Sequence, residues 1–155
     1  MTAVPKAAPT ISEYKIYTDP LRVGQAVEIL YVAPSEGSIS VSLESAKGDI
    51  ALYISAQYDS NTEKNTLVFK SKTANGPWQH EVPSCGCLLW RGLVNLQIEI
   101  RRDGFIIKAN GAALAKYRYQ ANLDYSIVTK VKWSYGEAGA TKKAHLKFLG
   151  IDIEL

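Results

Sequence analysis

The stretch Val94 to Tyr119, "VNLQIEIRRDGFIIKANGAALAKYRY", decides the fold. Apolar and polar residues alternate along it with period two, as a strand with one buried face requires. Asp103-Gly104 and Asn110-Gly111 interrupt the alternation, and these dipeptides are among the strongest short-range hairpin signals. The stretch is expected to form a three-stranded antiparallel meander.

The same period runs outward in both directions from about Glu13, and helical periodicity is almost absent. "AVEILYVA" (Ala26 to Ala33) follows a turn through Gly24 in "LRVGQ". "SISVSLES" (Ser38 to Ser45) puts Ile39, Val41 and Leu43 inward and serines outward. "DIALYISAQY" (Asp49 to Tyr58) and "NTLVFKSK" (Asn65 to Lys72) make the next pair across the polar loop "DSNTEK". "YSIVTKVKWSY" and "AHLKFLGIDIEL" supply two last runs, the final one alternating through Leu146, Phe148, Ile151, Ile153 and Leu155. About ten short strands without a helix specify an all-β domain, either a two-sheet antiparallel sandwich or a closed barrel.

Composition narrows the function. A chain of 155 residues makes one domain with a substantial core. Its net charge of +3, with lysines and arginines scattered apart from Arg101-Arg102 and Lys142-Lys143, gives no footprint for nucleic acid and reads as solvated faces. The N-terminal "MTAVPKAAPTISEYK" has no apolar run for a signal peptide or membrane helix, and no Asn-x-Ser/Thr acceptor occurs. Cytosolic synthesis without membrane insertion is the expectation, with non-classical secretion left open. Cys85 and Cys87, one residue apart, are poorly placed to bridge and are read as free thiols. With His80 and His145 the only histidines, neither a metal nor any other cofactor is expected. No nucleophile motif, phosphate loop or recognisable carboxylate pair points to an enzyme.

Four segments together carry a resemblance. "PLRVGQAVEI" is similar to the first core strand of the galectins, and "SISVSLESAKGDIALYI" to the family's serine- or asparagine-bearing strand followed by Gly-Asp-Ile-Ala-Leu-His. "NTLVFKSK" is similar to its Asn-Thr-Ile-Val-x-Asn-Ser, and "GFIIKANGAALAKYRYQ" to its hairpin. From about Tyr14 to Leu155 the chain resembles these β-sandwich lectins, whose best-known ligands are β-galactosides. The resemblance implies a galectin-like sandwich of jelly-roll or concanavalin-like type over residues 13–155. Residues 1–12 are then an extension.

It also implies a site. Galectins carry a His, an Asn and an Arg on alternate positions of one strand, an Asn on the next, then a Trp followed by a Glu and an Arg. Here the first three positions align with Tyr53, Ser55 and Gln57, the next Asn with Lys70, and the last Arg with Pro83. Trp78 and Glu81, in "NGPWQHE", match with the family's three-residue separation. The candidate carbohydrate-binding residues are therefore Trp78, Glu81, Lys70, Tyr53, Ser55 and Gln57. Trp78 would stack on the C–H face of a sugar, for about 1 kcal/mol beyond plain burial. Glu81 would accept from a hydroxyl, and Lys70 would pair with Glu81 or reach the sugar. No guanidinium fork remains at Gln57, so specificity should differ from that of β-galactoside binders. His80 is expected to face away from Trp78, and Trp90 and Trp133 to pack inside. The implied partners are glycans or glycoconjugates, met by a homo-oligomer, a dimer or higher. The alternative is a galectin-related domain that has lost sugar binding and acts through protein contacts.

Overall fold

The computed structural model describes residues 10–15, 21–32, 37–59, 64–84, 92–136 and 145–150. Cys85, Cys87, Trp90, the loop tip 60–63, residues 1–9, Lys142-Lys143 and the end of the last predicted run, 151–155, lie outside them. Within them the chain forms β1 (Thr10–Lys15), β2 (Gln25–Val32), β3 (Gly37–Glu44), β4 (Ile50–Asp59), β5 (Lys64–Lys72) and β6 (Gln79–Ser84). There follow β7 (Leu93–Ile100), β8 (Gly104–Ala109), β9 (Ala112–Arg118), β10 (Lys130–Gly136) and β11 (His145–Gly150).

Two antiparallel sheets result, of order β1-β10-β3-β4-β5-β6 and β11-β2-β7-β8-β9. Among the described residues no strand belongs to both sheets, which decides for the sandwich over the closed barrel. The expected alternation is visible in the burial. Ile39, Val41 and Leu43 of β3, Leu52, Ile54 and Ala56 of β4, and Leu67 and Phe69 of β5 are buried on one side. Val27, Ile29 and Tyr31 of β2, Leu96, Ile98 and Ile100 of β7, and Phe105 and Ile107 of β8 meet them from the other. Each such side chain removed from water contributes about 1.5–3 kcal/mol. Trp133 is buried, its ring centroid 4.9 Å from that of Tyr31, so it bridges the layers as the sequence suggests.

The expected meander β7–β8–β9 forms, with a register shift between Ile107 and Lys108. Asn110 and Gly111 have φ of 50° and 82°, the consecutive left-handed pair of a type I′ turn. Gly104 is required for a different reason: a Cβ there would collide with the Tyr117 carbonyl and lie 2.9 Å from Arg118 Cα. β9 passes too close for any side chain. Farther on, "YSIVTKVKWSY" is not strand throughout. Asp124 Oδ1 accepts from Ser126 N at 2.7 Å, an Asx turn that winds Tyr125–Ile127 into one 3-10 turn. β10 starts only at Lys130.

Candidate functional site

The outward face of the six-stranded sheet is polar because its inward positions are taken by the core. Leu52, Ile54 and Ala56 of β4 point in, so Tyr53, Ser55 and Gln57 share the outer face, as their spacing implies. Register then fixes their neighbours. Tyr53 lies between Ser42 of β3 and Lys70 of β5, Ser55 between Ser40 and Val68, and Gln57 between Ser38 and Thr66. Beyond β3, Lys132 stands opposite Ser42 and Ser134 opposite Ser40. A band of hydroxyls and one carboxamide runs across the sheet, with lysines at one end.

Trp78 reaches that end on a loop with two anchors. Gly76 N donates to Thr73 O at 3.1 Å, and a Cβ on Gly76 would strike the Thr73 hydroxyl. Ala74 N donates to Asp49 Oδ1 at 2.9 Å. Asp49 is itself fixed in the β3–β4 turn, its N donating to Ser45 Oγ at 3.0 Å and its carbonyl accepting from Ser45 N at 2.8 Å. So held, the indole of Trp78 is 40% exposed, and its ring centroid lies 4.9 Å from that of Tyr53 at an interplanar angle of 44°. The Lys70 ammonium sits 4.5 Å from the indole centroid and 5.5 Å from the Tyr53 centroid, and that of Lys72 sits 5.2 Å from the indole. Each cation over the ring contributes about 0.5–1 kcal/mol at such exposure.

Lys70 therefore caps the aromatic pair and makes no ion pair with Glu81 among the described residues. Opposite Lys70, β6 carries a β-bulge. Phe69 pairs with Val82 and Ser71 with Gln79, so His80 and Glu81 together face the single residue Lys70. His80 is two positions from Trp78, and an unbroken strand would put both on one face. Its φ of 48° breaks that alternation, and its ring packs against the edge of Tyr117 at 5.5 Å. Glu81 is exposed; it precedes Val82, which packs on the core, and so follows Lys70 to the outer side. Pro83 lies opposite Val68. β6 is an edge strand, where proline costs no ladder bond that matters.

Beneath the lysines, Ser71 points inward and its hydroxyl shares a hydrogen bond of 2.8 Å with Tyr117 Oη. Tyr117 Oη also donates to Gln79 O at 3.3 Å, one residue past Trp78. Burial holds the Tyr117 hydroxyl above its ordinary pKa despite the Ser71 bond, so it stays a neutral donor. Beyond Tyr53, the face is closed by the buried Glu44. Ser42 Oγ donates to Glu44 Oε2 at 2.5 Å, and the Lys130 and Lys132 ammoniums lie 3.9 and 3.8 Å from Oε1.

Of the sequence-derived residues, then, Tyr53, Lys70 and Trp78 are in mutual ring contact, Ser55 and Gln57 extend the same face, and Glu81 lies across from Lys70 on β6 without an ion pair to it among the described residues. Sequence reading passed over Lys72, although its period-two spacing from Lys70 places it on this face. It also passed over Glu44, Lys130 and Lys132, which only strand register brings here. Among the described residues, no three of His, Cys, Asp and Glu gather as a metal ion would need. The arrangement offers a ring surface, donor-only ammoniums and a row of small groups that both donate and accept.

A family model described as "Galactoside-binding lectin" matches residues 13–135. A tetrameric galectin from the ball sponge Cinachyrella sp. superposes with a TM-score of 0.74 at 31% sequence identity, over 92% of this chain and 99% of that one. No curated relative matches the sequence.

Proposed function

The chain belongs to the galactoside-binding lectin family, and from that premise we propose that it is a non-enzymatic, galectin-type carbohydrate-binding protein whose groove is altered from that of β-galactoside binders. The observation that carries this is the half-exposed indole of Trp78, held by Asp49 and Tyr53 at the end of a polar sheet face. A sugar ring would stack on the indole while hydroxyls on its other positions meet Ser55, Gln57 and the β3 serines. Such small groups can each donate and accept, which suits hydroxyls, but none offers the fixed fork of a guanidinium. The choice of sugar should change before stacking is lost, because an unmatched buried polar group is what penalises the wrong ligand. The sponge relative is a tetramer. Self-association of this chain would let several weak grooves act on one glycan surface.

A glycan array with the wild type beside Trp78→Ala tests the reading. The ring meets Tyr53 and the two lysines at the surface, so the variant should lose no more than about 3 kcal/mol, stay folded and lose the glycan signal. A folded, multivalently presented wild type that retains no glycan would refute it. The changes at Tyr53, Ser55, Gln57 and Pro83 would then favour a domain that works through protein contacts.

A further inference from the structure

Lysines with a described carboxylate partner are frequent on this protein. Lys130 and Lys132 approach Glu44, Lys108 meets Glu99 at 2.7 Å, and Lys116 meets Asp103 at 2.7 Å. Lys70 and Lys72 differ. Neither has a carboxylate within ion-pair distance among the described residues, and both ammoniums rest on the π surface of Trp78. They are two positions apart on β5, so alternation sends both to the groove face, side by side and mutually repelling. Ring contact softens that repulsion but supplies no counter-charge.

We propose that the ligand of this groove carries an oxyanion, a sulfate ester or a carboxylate, on or beside the sugar ring that meets Trp78, and that Lys70 and Lys72 hold it. The proposal rests on Trp78 being the sugar platform. An ammonium offers three donors and no acceptor, so it can donate to a hydroxyl oxygen but is matched best by an oxyanion, which only accepts and brings the opposite charge. A neutral sugar stacking on the indole displaces the cations and offers them hydroxyl oxygens in return, but no counter-charge. An anionic sugar draws them off the ring onto itself, so the act that baring the platform requires is favoured by the ligand's own charge. Charge complementarity of this kind selects the partner as much as it tightens binding.

The test is an array of matched oligosaccharides that share one core in neutral, sulfated and sialylated forms, followed by titration at two ionic strengths. A charged form should bind at least about tenfold tighter than its neutral counterpart. The advantage should shrink with added salt, vanish in Lys70→Met/Lys72→Met, and persist in Lys70→Arg and in the distant control Lys116→Gln. Gain with the sulfated form alone assigns a sulfate ester, and gain with the sialylated form alone assigns a carboxylate. Equal binding of charged and neutral forms by the wild type, or an advantage that survives removal of both lysines, overturns the inference while leaving the lectin reading in place. Absence of any glycan binding by the folded wild type overturns both.

Discussion

Removing one oxygen atom behind the groove should be costly, and removing two should cost less than the singles predict. Tyr117 and Ser71 are both fully buried, and their hydroxyls bond across the two sheets at 2.8 Å. Tyr117→Phe keeps the ring, and with it the edge contact to His80, but strands the Ser71 hydroxyl where no water reaches. An unsatisfied buried hydroxyl costs about 1–3 kcal/mol, so a loss near the middle of that range, about 2 kcal/mol, is expected. Ser71→Ala leaves Tyr117 Oη its acceptor, the Gln79 carbonyl at 3.3 Å, and should cost about 1 kcal/mol. The double variant has no stranded hydroxyl and should also lose about 1 kcal/mol, for a coupling of about 2 kcal/mol. Urea unfolding of the four proteins gives these values. Costs that add within about 0.5 kcal/mol would show that the two hydroxyls do not depend on each other, and would refute the reasoning.

Glu99 is buried on the outer side of the other sheet, where Lys108 and Arg101 each reach it at 2.7 Å. Burial raises its pKa, and the hydrogen bonds and charges of Lys108 and Arg101 more than reverse this, leaving it below the ordinary 4.5. A folded value below the unfolded one gives stability that is present above pH 4.5 and lost as pH falls through the folded value. Chemical denaturation should therefore show Glu99→Gln losing stability relative to the wild type at pH 7 and a narrowing gap under acid. Asp49→Ala removes the acceptor for Ala74 N. It should cost about 1–2 kcal/mol and raise the exchange rate of the Ala74 amide, with weaker glycan binding as Trp78 loosens. An unchanged exchange rate would argue that the turn residues alone hold the loop.

What could be read from the sequence was what local chemistry decides. Asn110-Gly111 reads as a hairpin because few other dipeptides accept two left-handed residues, and Tyr53, Ser55 and Gln57 read as one face because a strand has period two. Between Thr73 and Ser84 the period of two does not hold. Pro83 and the turn residues hide an edge strand there, and a bulge at His80 and Glu81 shifts the phase that alternation assumes. The family alignment has Lys70 pairing with Glu81 or reaching a sugar, and in the structure its ammonium lies over the indole. Glu44 and Lys132 belong to β3 and β10, almost ninety positions apart, and their meeting depends on a register that no local window contains. At Tyr125, a side-chain bond from Asp124 overrode a β-rich composition.

An indole left half in water is a surface to which other apolar groups can adhere, and a protein can hide such a ring until a partner arrives. Trp78 needs no cover of that kind. Two ammoniums riding on it keep hydrated charge over the ring, so casual apolar contact must strip water from a cation before it gains anything from the aromatic. The lysines that tax a neutral ligand thus double as a guard against stickiness, and replacing both by methionine should make the protein more prone to aggregate as well as less choosy.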